Sequence, residues 1–145
     1  MTTVISVLTT SKIGIWNMPA RGQGFINNHY AKINNYKISS VYQEYLLYNN
    51  FYMLQSIIKK NKKKTIIIFC SASQLPTQRI TRRNFIKFFK NYEIHLSLEL
   101  KKGKGVKFLS KIFNELDQFS NKKNINIDNT NTYKGLFNKY KNKIV

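Results

Sequence analysis

Residues 65–76 read Thr65-Ile66-Ile67-Ile68-Phe69-Cys70-Ser71-Ala72-Ser73-Gln74-Leu75-Pro76. A lysine-rich run, Lys59 to Lys64, leads into this stretch. An apolar, β-branched run this short, bounded on both sides, reads as a strand buried on both faces. Its carboxyl end opens into a polar loop, Ser71 to Gln74, and Pro76-Thr77 then starts a long amphipathic segment. Strand, polar loop, helix is the repeating unit of a parallel α/β sheet, in which ligands sit at the carboxyl ends of the strands.

The rest of the chain arranges itself around this unit. Val4-Ile5-Ser6-Val7-Leu8 predicts a buried first strand over residues 3–9. The segment Thr10 to Gly22 holds Gly14, Trp16, Pro19 and Arg21 and reads as a loop. It is longer than most strand–helix connections, which favours a binding role. Arg21-Gly22-Gln23-Gly24 leads into a helix with Phe25, Ile26, His29, Tyr30 and Ile33 at helical spacing. An arginine just before free helix amides suits an anion, and an ordinary loop arginine is the other reading. Tyr36 to Val41 predicts the second strand, with Glu44 just past its end. Asn49-Asn50 is placed to cap the next helix, whose apolar face is Phe51, Leu54, Ile57 and Ile58.

After the central strand, Thr77 to Asn91 predicts a helix with Ile80, Phe85, Phe88 and Phe89 inward and Arg79, Arg82, Arg83, Lys87 and Lys90 outward. Glu93 to Leu100 reads as a fourth strand, in which Ile94, Leu96 and Leu98 alternate with His95 and Ser97. Gly103 and Gly105 mark a turn, and Val106 to Phe119 a last helix. The expected fold is α/β: a single three-layer domain, Rossmann-like or resolvase-like, with a four-stranded parallel sheet in the order 2-1-3-4. The expected domain covers residues 1–119, and residues 120–145 form a Lys/Asn-rich tail.

In that topology the strand ends share one edge. The edge collects Arg21, Gln23, Glu44, Tyr45, Ser71, Ser73, Gln74 and Glu99. Carboxylates and amides accept and donate to hydroxyl-rich ligands, and a pair of carboxylates, Glu44 and Glu99, suits acid–base chemistry. Arg21, Gln23, Tyr45, Ser71, Ser73 and Gln74 are the candidate ligand-binding residues. A set of polar residues with no common ligand is the alternative. There is no phosphate-loop pattern, no Gly-x-Gly-x-x-Gly and no Ser/His/Asp order.

Composition sets the outer limits. The 145 residues carry 25 Lys and Arg against 6 Asp and Glu, a net charge of +19. Such a charge points to nucleic acid or an acidic surface. Only four of the basic residues are Arg, and Lys, Asn, Ile, Tyr and Phe are raised together, the imprint of an AT-rich coding sequence. Nucleic-acid readers favour Arg for bidentate contacts, so a specific nucleic-acid partner is not expected. The charge still attracts polyanions at low salt. The single cysteine, Cys70, fits a buried filler in a reducing cytoplasm better than a nucleophile. His29 and His95 stand alone, so neither a metal nor another cofactor is expected. No signal peptide and no membrane span is expected.

Taken together, Arg21-Gly22-Gln23, the segment from Ser39 to Glu44-Tyr45, Tyr52-Met53-Leu54, Ile67 to Pro76 and His95-Leu96-Ser97-Leu98-Glu99 carry a resemblance. Over residues 18 to 100 the chain resembles the sporadic carbohydrate cluster proteins, a small bacterial family. The Gln-Leu-Pro after the central strand and the closing Leu-Glu are its most telling pieces. Ala31 and Phe51 depart from the family's more frequent cysteine and serine. The resemblance implies residence among genes for surface polysaccharide, such as O-antigen or exopolysaccharide, without a reaction. More distantly, the strand–helix alternation resembles the catalytic domain of serine recombinases. Met18-Pro19-Ala20-Arg21-Gly22 has no serine where the recombinase nucleophile would stand, so that resemblance implies fold without chemistry.

Three functional expectations follow. The first is a cytoplasmic protein of carbohydrate biosynthesis that binds a sugar or nucleotide-sugar at the strand-end edge. There Arg21 would meet a phosphate or carboxylate, Gln23 and Gln74 would orient the ligand, and Glu44 and Glu99 would meet hydroxyls or act as base and acid. The second is a non-catalytic nucleic-acid-binding module using Arg79, Arg82 and Arg83. The third is a protein-interaction module, working as a homodimer or with a partner from the same gene cluster.

Overall fold

Ile66, Ile67, Ile68 and Phe69 are all buried, as a central strand requires, and the sheet is built around them. The structure is a computed structural model and describes residues 2–9, 12–13, 16–44, 51–61 and 63–125. In chain order the elements are β1 (Thr2–Thr9), β2 (Lys12–Ile13), β3 (Trp16–Asn17), α1 (Ala20–Ile33), β4 (Ser40–Glu44), α2 (Tyr52–Lys60), β5 (Lys64–Phe69), a 3-10 turn (Ala72–Gln74), α3 (Arg79–Phe89), β6 (Glu93–Leu96), β7 (Lys101–Gly103) and α4 (Val106–Ile125). Residues 1–112 form one compact unit; residues 113–145 belong to a second, of which the described part continues α4 to Ile125.

The fold is α/β, but its sheet is mixed rather than parallel. Five strands, not the expected four, lie in the order β4-β1-β5-β6-β7: the four expected strands stand in the order 2-1-3-4 and a fifth, β7, is added beside the last. The first three pairings are parallel, with Ile5 beside Ser40 and Ile67, and Ile67 beside Ile94. The added strand, β7, runs antiparallel to β6, with Leu96 beside Lys101. It arises because the stretch 93–100 is not one strand. The strand ends at Leu96, Ser97 to Leu100 turn, and Leu100 takes a left-handed φ of 54°. Ser97 N and Leu98 N still donate to Phe69 O and Cys70 O, at 3.0 and 2.9 Å, before the chain turns away to Leu100. Leu98 and Leu100, expected inside or at the strand end, are exposed.

The second strand also shifts. Residues 36–39 are not strand, and β4 begins at Ser40, so Glu44 is its last residue rather than a residue beyond it. Tyr36 and Ile38 instead pack on the cluster Val4, Tyr30, Ala31, Ile66 and Ile68. The loop expected over 10–22 contains the short antiparallel pair β2 and β3, and α1 starts inside it at Ala20.

Helices cover both faces. Tyr30 and Ala31 of α1 meet Val4, Ile66 and Ile68 on one side. On the other, Phe51 lies edge-on to Phe69 with ring centres 5.3 Å apart, and Phe85 of α3 sits 5.8 Å from Phe51. Helix α1 corrects the expected apolar face. It buries Gln23, Asn27, Tyr30 and Ala31 and leaves Phe25 and Ile33 exposed. The helical period is right and the phase is wrong, because this helix packs through hydrogen bonds as well as apolar area. It stops in a left-handed cap: Asn35 has φ 59°, and Tyr36 N donates to Ala31 O at 2.8 Å. Ile80 of α3, expected inward, is exposed. Among the described residues no helix is long and apolar enough to cross a membrane.

Candidate functional site

The four parallel strands end at Thr9, Glu44, Phe69 and Leu96, and the connections after β5 and β6 carry Ser71, Ser73, Gln74 and Glu99 of the expected site residues. The centre of this edge is the turn after β5. Ser71 caps it: its Oγ accepts from Ser73 N at 3.2 Å, and its own N donates to Gln74 Oε1 at 3.2 Å. Each bond satisfies one backbone or side-chain group of the turn, the reciprocal arrangement of a capping box.

Glu99 joins this turn from the far side of the β6–β7 connection. Its Oε1 accepts from Ser71 Oγ at 2.7 Å and from Ala72 N at 3.0 Å. Ser71 is buried, Ser73 is half-buried and Glu99 is exposed. A carboxylate is thus fixed from behind by a hydroxyl and a backbone amide, with the rest of the side chain facing solvent. Ser73 Oγ lies 2.9 Å from Ser71 Oγ and extends the same polar cluster.

Beneath it lies a second, buried layer. Gln74 Nε2 donates to Gln23 Oε1 at 2.8 Å and to Thr9 Oγ1 at 2.7 Å. Gln23 accepts from Thr9 N at 2.8 Å and donates to Thr9 O at 2.8 Å and Met18 O at 2.9 Å. Both glutamines are essentially fully buried. Their amides tie the end of β1 to α1 and to the turn, so their place is inside the fold and not on the open edge. The run Glu99–Ser71–Gln74–Gln23–Thr9 is one continuous hydrogen-bonded network.

Glu44 goes elsewhere. It is buried, and its two oxygens accept from Met53 N at 3.3 Å and Leu54 N at 3.2 Å. It therefore caps α2. The residue at the cap position itself, Phe51, has no side-chain oxygen and sits in the left-handed region with φ 54°. A buried carboxylate on free helix amides also meets the positive end of the helix dipole. The pairing of Glu44 with Glu99 as base and acid finds no shared partner here, since different elements hold the two carboxylates. Asn49 and Asn50, expected as caps, and Tyr45 lie outside the described residues.

Arg21 is exposed in the first turn of α1, not ahead of it. Cys70 is buried, and its thiol is pushed up to about 11 by burial, against an opposing hydrogen bond from Ser97 and with Glu99 adding to the rise. A thiol so placed is not a nucleophile near neutral pH. Sequence reasoning missed Thr9, Asn27 and Ser97. Asn27 Nδ2 donates to Ser6 Oγ at 3.0 Å, and Ser97 Oγ to Asn27 Oδ1, forming a buried polar seam between α1 and the sheet. The signal for Asn27 is its helical spacing with Gln23 and Tyr30, whereas the expected face of α1 runs through Phe25, Ile26, His29, Tyr30 and Ile33. No family model matches the chain, and neither a curated protein nor a solved structure does.

Proposed function

We propose that this chain is a cytoplasmic protein of carbohydrate biosynthesis, in the assembly of surface polysaccharide such as O-antigen or exopolysaccharide. It binds a sugar or nucleotide-sugar at the carboxyl edge of the sheet. The observation that carries this reading is Glu99, an exposed carboxylate anchored by Ser71 Oγ and Ala72 N. Sugar hydroxyls are donors, and an acceptor held in place before binding loses less entropy when it meets them. Ser73 adds a half-buried hydroxyl beside it, and Arg21 supplies the cation for a diphosphate. Gln23, Gln74 and Ser71 act by holding the turn that presents Glu99, and Glu44 by holding α2. The resemblance to the sporadic carbohydrate cluster proteins supplies the pathway; the three-layer, resolvase-like affinity of the fold belongs to the same reading.

The test is calorimetric titration of nucleotide-sugars, free nucleotides and neutral sugars at about 150 mM salt, where loose surface attraction is screened. Glu99→Gln is expected to weaken the sugar-bearing ligand by about tenfold or more, a loss on the order of 1.4 kcal/mol. Arg21→Ala is expected to weaken nucleotide-sugars and leave neutral sugars alone. Undiminished affinity in Glu99→Gln refutes the site.

A second reading has one specific observation behind it. Arg79, Arg83 and Lys87 of α3 and Lys90 at its C-cap are all exposed at near-helical spacing. This stripe supports the nucleic-acid module. Duplex binding whose salt slope falls when Arg79 and Arg83 become alanine favours it over the carbohydrate reading.

A further inference from the structure

A cleft of about 400 Å³ lies at the opposite, amino edge of the sheet, where β1, β5 and β6 begin. Its size is that of a small-molecule site. Val4 and Ile66 contribute buried apolar side chains, Tyr36 an aromatic wall, and Lys37, Lys64 and Glu93 the charges. Both lysines are exposed. Two cations and one carboxylate around an apolar floor do not suit a purely apolar ligand.

Glu93 is not a loose surface acid. His95 Nε2 and Glu93 Oε1 are 2.8 Å apart, and His95 Nδ1 is 2.8 Å from Tyr30 OH. His95 is fully buried, with Tyr36 edge-on at 5.4 Å. An ionised carboxylate only accepts, so Nε2 carries the proton and donates to Glu93. Burial, with Tyr36 and Glu93 adding, raises the Tyr30 hydroxyl above its ordinary range, so it stays a phenol able to donate to Nδ1. The tautomer is assigned from this network. Tyr30, His95 and Glu93 thus form a relay of fixed orientation that holds one carboxylate oxygen from inside and leaves the side chain lining the cleft.

We propose that this cleft is a second ligand site, for a small polyhydroxylated phosphomonoester such as a hexose phosphate. The phosphate sits on Lys37 and Lys64, a hydroxyl donates to Glu93, and the C–H face of the ring lies on Tyr36. His95 is a positioning residue for Glu93. The inference is independent of the carboxyl-edge reading, because none of its residues belongs to that edge.

The experiment titrates glucose 1-phosphate, inorganic phosphate and glucose by calorimetry at about 150 mM salt, on the full chain. The proteins are wild type, Lys37→Ala/Lys64→Ala, Glu93→Gln, and the control Lys59→Ala/Lys60→Ala, each first shown to unfold like wild type. The expected result is binding of glucose 1-phosphate that falls at least about tenfold in Lys37→Ala/Lys64→Ala. It is also expected to fall in Glu93→Gln, where inorganic phosphate is unaffected, and to persist in the control. Three results overturn the site: no glucose 1-phosphate binding to wild type, full affinity in Lys37→Ala/Lys64→Ala, or an equal loss in Lys59→Ala/Lys60→Ala, which would mark diffuse attraction to a basic chain.

Discussion

The side-chain amide of Gln74 donates to the side-chain oxygen of Gln23 at 2.8 Å, across 51 residues of sequence. Neither amide can turn over. Thr9 N must face an acceptor, which fixes Gln23 Oε1, and Ser71 N must face an acceptor, which fixes Gln74 Oε1. The backbone therefore dictates which end of each amide meets the other. Among the described residues no buried side-chain nitrogen or oxygen lacks a partner, and this pair is a large part of the reason at the carboxyl edge.

That coupling is measurable. Gln23→Leu leaves Thr9 N and O without these partners, and Gln74→Leu strands Ser71 N. Each is expected to cost about 2–3 kcal/mol in urea unfolding, the penalty for buried unsatisfied groups. Residues in one network do not add. The double variant should therefore lose less than the sum, with a coupling of about 1 kcal/mol or more. Losses that add to within about 0.3 kcal/mol would show the two amides acting separately.

Glu44 gives a prediction that separates a cap from a catalytic base. Glu44→Ala frees Met53 N and Leu54 N at the start of α2, at a cost of about 1–2 kcal/mol. Glu44→Gln keeps an acceptor and should lose under half as much. The measurement is the urea midpoint, with the denaturant slope unchanged. A Glu44→Ala protein of wild-type stability would return the residue to the candidate catalytic list.

These two residues also show what the sequence carried and what it hid. The central strand was legible because Ile66 to Phe69 is continuous, β-branched, short and bounded on both sides by polar residues, which favours a buried strand over a helix. The parallel units around it followed from strand–helix alternation. The phase of α1 was not legible. Phe25 and Ile33 advertise an inward face, whereas the helix buries Gln23 and Asn27, whose partners come from β1, Met18, the β5 turn and Ser97. Hydrogen bonds that span 14 and 51 residues cannot be read from the spacing within one helix, so the buried stripe of Gln23 and Asn27 carried no sign of its partners. Glu44 and Glu99 were recognised as scarce acids at strand ends, but the sequence did not show that Glu44 places both oxygens on α2 amides and is buried while Glu99 is held through Oε1 and stays exposed. The turn after Leu96 was hidden because Ile94, Leu96, Leu98 and Leu100 keep a strand's alternation straight through it, although Leu98 and Leu100 are exposed.

Gly103 offers a steric test of the added strand. A Cβ at this position would overlap the ring of Phe108 in the first turn of α4. Ring atoms cannot yield as the tip of a flexible chain does. Gly103→Ala is expected to destabilise by about 1–3 kcal/mol, the range for overpacking. In a Phe108→Ala background the same change should cost less than half as much. Equal costs in both backgrounds would mean that the ring does not set the constraint.

The last prediction concerns alkaline pH. The thiol of Cys70 titrates at about 11 in the folded chain, against an ordinary value of 9.0. Burial disfavours the thiolate, so between these values the unfolded chain loses its proton while the folded chain keeps it. The native state then binds more protons than the unfolded one, and stability falls as pH rises through that window. The contribution is whole below pH 9 and gone above pH 11, at most roughly 2–3 kcal/mol. Tyrosines and lysines titrate over the same range, so the measurement is a difference: urea midpoints of wild type and Cys70→Ala from pH 7 to 11. Wild type should lose more stability than the variant above pH 9. Iodoacetamide should likewise modify native Cys70 slowly at pH 8 and rapidly once urea exposes it. Fast modification of the native chain at pH 8 would place the thiol at an accessible surface and remove it from the interior of the sheet.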